Sequence, residues 1–414
     1  MRAVLSAELE ELRTQLREWI ARNRVPLLAE AHLPEHRAAL YNLNYGAWSG
    51  PSAAHAQAWQ EWLTRNADAG YLCPQWPVEV GGRGWDALQL VVWNEELAAA
   101  GMPRANRGLG EHLVGPAVVV HGTPEQKAYF LPRIISGEDV YAQGFSEPEA
   151  GSDLASLRAT GRVVGDCLEV TGEKIWTSQG HLANRMFVLC RTDPDVAPHR
   201  GITYVIMDLH DNGITVRRTR QMTGDHDFTE EVLDGARAPL SHVIGGLGNG
   251  WRVAMTVLGF ERGQMATTHH LGIQRRFWEA VDEARALGRL DDPVVRRELA
   301  AVHARIEALR MAGLRILAGT AFDSDLSRIS SVGKVYYSEL EQRLAETAFA
   351  LRGADGLRRP AGEGYPLDPW QHDLLHSRCF SIQGRTNEVQ RNILGERVLG
   401  LPKEPRVPVQ SGSA

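Results

Sequence analysis

The chain has 414 residues, of which 43% are hydrophobic and 23% charged, and 45 basic against 51 acidic side chains give a formal charge of −6. At about 150 residues per domain this length predicts two to three domains or one large multilayered unit, and the apolar content excludes disorder for the bulk of the chain. Basic residues are interspersed among acidic ones, with no tract suited to a phosphate backbone, which argues against nucleic acid as a partner.

Four cysteines, Cys73, Cys167, Cys190 and Cys379, lie far apart and form no CxxC pair. That predicts neither a disulfide framework nor a thiolate zinc site and suits a reducing cytoplasm. The first residues carry Arg2, Glu8, Glu10 and Glu11 where a signal peptide needs an apolar stretch. No run of about 18 apolar residues predicts a membrane span.

Residues 1–135 are predicted to form a helical domain. Leu5, Leu9, Leu12, Leu16 and Ile20 recur at spacings of three and four, a helical stripe. AHAQAWQEWLTRNADAG and DALQLVVWNEELAAAG repeat the pattern, each closed by Gly, and CPQWPVEVGGRGW between them is a Pro/Gly loop. Residues 136–245 read as a β domain: LEVTGEKIWTS, NRMFVLCRT, RGITYVIMDL and GITVRRTR are short β-branched or aromatic runs separated by turn residues. Their spacing predicts an antiparallel barrel or sandwich in place of βαβ units. Residues 246–400 are helical again, opening with one long helix from Gly250, and 401–414 are a Pro/Ser-rich tail. The fold class is therefore α+β: an N-terminal helical domain, a central antiparallel β-barrel-like domain and a C-terminal four-helix-bundle-like domain.

The phosphate-loop patterns GxGxxG and GxxxxGK[ST] and the zinc motif HExxH are absent, so no metal is expected. Gly246, Gly248 and Gly250 read as an interdomain hinge. His269 and His270 are adjacent on one helix and cannot both ligate from one face, which predicts a core or rim role.

Four local sequences are more specific. QGFSEPEAGSDLAS (Gln143–Ser156) followed by KIWTSQG (Lys174–Gly180) resembles the acyl-CoA dehydrogenase family. Upstream HGTPEQKAYFLPRIISGE and downstream QGRTNEVQRNILGERVLGLP extend the resemblance over nearly the whole chain, in the family's helix–β–helix order. It implies FAD held between the β domain and the C-terminal bundle, and oxidation of an acyl thioester between its α and β carbons.

Residue by residue, the resemblance assigns flavin contacts to Gln143, Phe145, Ser146 and Ser152, with Ser152 also near the CoA moiety. A Pro-containing turn with Asp153 as N-cap is the plain structural alternative. Trp176, Thr177 and Ser178 match a triplet lying against the flavin, with the hydroxyl reaching the ring edge. RGADG resembles a turn that touches FAD from a neighbouring subunit through Gly353, although Ala354 stands at its second Gly. Thr386 and Glu388 match a C-terminal flavin-contacting triplet in which Asn387 replaces Ser. Arg289 stands in for the Arg of an Arg-x-x-Phe-Gly element whose Phe is missing here, which leaves a homodimer, a homotetramer or a heteromer open.

Many family members carry the catalytic Glu two residues before that Thr. Here that position is Gly384, and Gln383 beside it is an amide. Members resembling isovaleryl-CoA dehydrogenase place the Glu on the first long C-terminal helix, before an Arg, and GFERG supplies Glu261 and Arg262. With Val257 and Leu258 one turn back and Gln264 and Met265 one turn forward, this carboxylate sits on a largely apolar stripe, and desolvation raises its pKa toward that of a general base. A structural Glu paired with an Arg of another helix is the competing reading.

The resemblance thus implies Glu261 as base and the Gly384 amide as polariser of the thioester carbonyl, with Arg262 and Arg385 on the substrate side. It further implies acyl-CoA or an acyl-carrier-protein thioester as substrate and an electron-transfer flavoprotein as acceptor. A flavin oxidase or monooxygenase on the same fold and a catalytically silent subunit of a heteromer are the rivals.

Overall fold

The computed structural model describes residues 6–30, 52–210, 212–321, 330–360, 362 and 367–403; the side chains of 30, 260–269, 316–321 and 330 lie outside the description. Helix α1 (Ala7–Asn23) begins at Ser6, whose hydroxyl accepts from the Leu9 amide, and its stripe buries Leu16 and Ile20. It is followed by α2 (Pro26–Glu30), α3 (Ala53–Asp68), α4 (Ala87–Ala99), α5 (Gly115–His121) and α6 (Pro124–Ser136). Capping boxes start α4 (Asp86 with Gln89) and α6 (Thr123 with Gln126), each satisfying amides that a helix start leaves open. Trp59, Trp62 and Trp93 are fully buried at the centre of this layer.

Eight strands follow: β1 (Tyr141–Gly144), β2 (Thr160–Val164), β3 (Cys167–Ser178), β4 (Arg185–Arg191), β5 (Ile202–Asp208), β6 (Ile214–Thr219), β7 (Phe228–Pro239) and β8 (Val243–Ile244). They form one sheet in the order β6-β7-β3-β2-β4-β5-β8, with β1 beside β4. The sheet curls around a core of Leu168, Val170, Met186, Val188, Met207 and Leu233. The opposite face of β4 and β5 packs on the N-terminal helices through Phe187, Leu189, Tyr204 and Ile206. Both faces of these two strands are buried, which explains their unbroken apolar runs.

Two features differ from the sequence reading. The sheet is not purely antiparallel, because β1 runs parallel to β4 and Thr160 forms a parallel bridge to Arg191. Strand β7, the 12-residue partner of β3, gives no apolar alternation in sequence because its inward positions include Thr229 and Glu231.

The C-terminal layer is built on α7 (Gly250–Ala286), α8 (Pro293–Ala321) and α9 (Ser330–Ala350), with the short α10 (Pro369–His376) and α11 (Asn387–Ile393) against them. Ile273, Phe277, Val302, Ile306, Leu340 and Leu344 fill its core. Polar clasps join the layers. The Gln126 side-chain amide donates to the carbonyls of Ser241 (2.7 Å) and Val243 (2.9 Å), tying α6 to the end of the β domain. His372 on α10 meets Asp225 of the β6–β7 loop at 2.7 Å. Among the described residues no helix is long and apolar enough to cross a membrane.

Candidate functional site

The two most specific sequence segments meet at a buried ion pair. Lys174 is fully buried on β3 and its Nζ lies 2.8 Å from Glu147 Oε1. It also donates to the Phe145 carbonyl at 3.3 Å. Glu147 accepts from the Arg158 and Ala159 amides at 2.6 and 2.9 Å, and the Ile175 amide donates to the Ser146 carbonyl at 3.0 Å. Burial pushes the Glu147 carboxyl up, but the Lys174 charge and these three donors hold it below its usual range. Burial lowers Lys174 and the carboxylate only partly offsets that. Residues 145–147 and 174–176 are thus locked edge to edge. The sequence reading quoted both residues inside their motifs without assigning them this role.

Just past the clamp the β3–β7 register slips between Lys174 and Thr177. The bulge re-aims side chains, as bulges beside functional sites do. Trp176 adopts φ +60 and is 57% exposed, with its ring edge-on to Phe228. A bulky residue at positive φ is strained, and here the strain holds a broad aromatic face outward. Thr177 turns inward. It is fully buried, and its hydroxyl donates to the Glu231 carboxylate, which also receives the Thr229 hydroxyl. Ser178 is half-buried at the strand end, as are Gln143 and Ser146, whereas Phe145 is buried against Phe187 and Tyr204 and Ser152 is exposed. Asp153 makes no side-chain cap hydrogen bond.

A second group of residues forms the turn before α11. Gly384 and Arg385 adopt φ +62 and +77 in succession. The Arg385 guanidinium reaches the Met255 sulfur on α7 at 3.7 Å, so this turn lies against α7 six residues before position 261. Glu261 and Arg262 belong to the α7 backbone, but their side chains lie outside the described residues. Thr386 caps α11, its hydroxyl accepting from the Val389 amide. Asn387 is buried, and its side-chain oxygen accepts from Lys334 at 2.8 Å and Ser338 at 3.0 Å, an anchor that sequence reading missed. Glu388 points outward, 3.5 Å from Arg391.

The two groups are linked through Phe228, the Gln179 amide donating to the Asp227 carbonyl at 2.6 Å, and the Asp225–His372 pair. Arg289 and Gly353 form a third group. Arg289 donates to the Leu351 carbonyl at 3.1 Å, and a methyl on Gly353 would lie 3.5 Å from its guanidinium. These two lie at one exposed corner of the bundle. Among the described residues no cluster fit for a metal occurs.

The donor set suits a planar heteroaromatic cofactor: an open indole face with hydroxyls and amides close by. The comparisons agree. Residues 47–138, 142–234 and 248–399 match family models described as the N-terminal, middle and C-terminal domains of acyl-CoA dehydrogenase. "Acyl-CoA dehydrogenase IpdE1" of Mycobacterium tuberculosis is 38% identical over 402 residues, 96% of this chain and 99% of that protein. The solved "Tcur3481-Tcur3483 steroid ACAD" superposes with a TM-score of 0.80 at 30% identity, covering 98% of this chain and 100% of its own. The ChsE4-ChsE5 complex from Mycobacterium tuberculosis superposes with a TM-score of 0.77 at 30% identity, over the same shares.

Proposed function

The chain belongs to the acyl-CoA dehydrogenase family of flavin-dependent oxidoreductases, and from that premise we propose that it dehydrogenates an acyl-CoA thioester between its α and β carbons, with FAD as the flavin. Bound FAD supplies the hydride acceptor. The chain's own residues bind, polarise and deprotonate. Gln143, Phe145, Ser146, Ser152, Trp176, Ser178 and the Thr177 backbone form one wall of the cofactor site, and Thr386 and Glu388 the other. Arg289 and Gly353 serve the flavin of a neighbouring chain. The Gly384 amide donates to the thioester carbonyl, which acidifies the α proton. Glu261 takes that proton. Ser152, Arg262 and Arg385 hold the CoA side of the substrate.

The observation that carries this reading is the contact of the Gly384–Arg385 turn with α7. It brings the Gly384–Arg385 backbone beside the helix that bears Glu261, and no carboxylate occupies residues 383–385 to compete for the role. Two structures with two-part names, one titled a steroid ACAD and the other a complex, share 30% identity across this chain. They support a ring-bearing, steroid-derived acyl group as substrate and a second chain in the working assembly. An electron-transfer flavoprotein is the proposed acceptor.

The test is anaerobic titration of the purified protein, alone and with its co-expressed partner, with a panel of acyl-CoAs while flavin absorbance is followed. Steroid-derived thioesters should bleach the flavin, and Glu261→Gln should stay yellow without bleaching. Normal bleaching by that variant removes Glu261 from the role. A chain that stays colourless in every preparation removes the catalytic reading itself.

A further inference from the structure

A cavity of mixed polar and apolar lining, outside the proposed thioester site, lies between α4, α7 and α8. It holds about 390 Å³ and is lined in part by Glu95, His270, Gln274, Trp278 and Arg310. His270 is only 5% exposed, and neither ring nitrogen has a hydrogen-bond partner among the described residues. Buried polar groups are nearly always satisfied, so an imidazole that lines a cavity with both nitrogens unpartnered points to an occupant. Burial pushes His270 down to about 4, so at neutral pH it offers one donor and one acceptor.

The surrounding charges are already matched. Arg310 meets Glu307 at 3.0 Å, Arg13 meets Glu95 at 2.6 Å and Arg275 meets Glu279 at 3.6 Å. An ionic ligand would have to break one of these pairs, and a neutral one would not. Trp278, 49% exposed at the cavity's edge, provides a flat apolar face. Position 270 is nine residues, about two and a half turns and 13 Å, beyond position 261 on α7. The two positions therefore lie on opposite faces of the α7 backbone, which sets the cavity apart from the proposed thioester site.

We propose that this cavity is a second binding site, for a small neutral ring compound bearing a hydroxyl group, with His270 as its hydrogen-bonding partner. A hydroxyl both donates and accepts, the complement of a neutral imidazole, while the ring packs on Trp278. The proposal is independent of the dehydrogenase reading.

Saturation-transfer NMR on the full-length flavin-loaded protein tests it with three probes of one skeleton: 2-indanol, indane and indane-2-carboxylate. Wild type should bind 2-indanol at least about tenfold more tightly than the other two. His270→Phe should bring 2-indanol and indane to the same weak affinity, with circular dichroism and flavin content unchanged, and His270→Gln should keep part of the preference. Equal binding of 2-indanol and indane by wild type overturns the proposal without recourse to any variant. So does tightest binding of the carboxylate, an affinity indifferent to His270→Phe, or no binding at saturation, which would leave the cavity to water alone.

Discussion

Replacing Lys174 by Met removes the cation of the clamp and keeps most of its apolar stem. Breaking one side of a buried ion pair costs about 3–5 kcal/mol, because the surviving charge stays desolvated. Glu147 retains the Arg158 and Ala159 amides at 2.6 and 2.9 Å, which places the expected loss near the lower end, about 3 kcal/mol. Glu147→Gln leaves Lys174 with the Phe145 carbonyl at 3.3 Å, and a loss of similar size follows. The double variant should lose less than the two losses added together, with a coupling of about 1–3 kcal/mol. Guanidinium unfolding followed by tryptophan fluorescence measures these losses, and flavin absorbance in the same samples reports the rim. Flavin should leave the Lys174→Met protein at lower denaturant than it leaves wild type, ahead of the fluorescence transition. Single losses below about 1 kcal/mol, or simple additivity in the double variant, would refute the clamp.

Trp176→Ala removes a side chain that is 57% exposed, so stability should change by less than about 0.5 kcal/mol while flavin affinity falls by roughly tenfold or more; equilibrium dialysis against FAD separates the two. Thr177→Val should do the reverse, lowering stability by about 1.5–3 kcal/mol because Glu231 loses a donor, with FAD affinity unchanged. His372 is held up at about 9, despite its burial, by its hydrogen bonds with Asp225 and Asp373. Its stabilisation is full below pH 6.5 and fades as pH rises through 9, a loss of about 3 kcal/mol. His376, pushed down to about 4 by burial and the nearby His372 charge, is neutral in the fold and costs stability as pH falls from 6.5 to 4. Melting temperature should therefore peak near pH 6.5, and Asp225→Asn should flatten the alkaline side only.

The helices were legible because their apolar stripes face one core, as in α1, and the strands β4 and β5 because both their faces are buried. The two motifs place Trp176 and Ser146 on neighbouring segments, joined by the Ile175–Ser146 hydrogen bond. The partner of the Thr177 hydroxyl was not legible, because Glu231 lies 54 positions away. Strand β7 was hidden for a related reason: Glu231 is a buried carboxylate raised by desolvation and held by two hydroxyls from β3 and β7, so its charge reads as surface in sequence. The Lys334–Asn387 and Asp225–His372 contacts span 53 and 147 positions, beyond any periodicity.

These long-range polar contacts explain how a site assembled from two layers keeps its geometry. Apolar packing is non-directional and tolerates small slides of one layer over another. A hydrogen-bonded charge pair does not, since misalignment strands a buried polar group. Asp225–His372 fixes α10 against the β6–β7 loop that leads into Phe228 at the start of β7, and Phe228 abuts Trp176. Lys334 fixes the first turn of α11, and with it Thr386, against α9. The Lys334 clasp holds the residue between Thr386 and Glu388, and the Asp225–His372 clasp sits three residues before Phe228. Weakening Asp225–His372 should therefore lower flavin affinity in proportion to the lost stability. Changing a buried apolar residue of the same α7–α9 core, such as Leu340→Val, should lower stability alone, because the layers would loosen without losing their register.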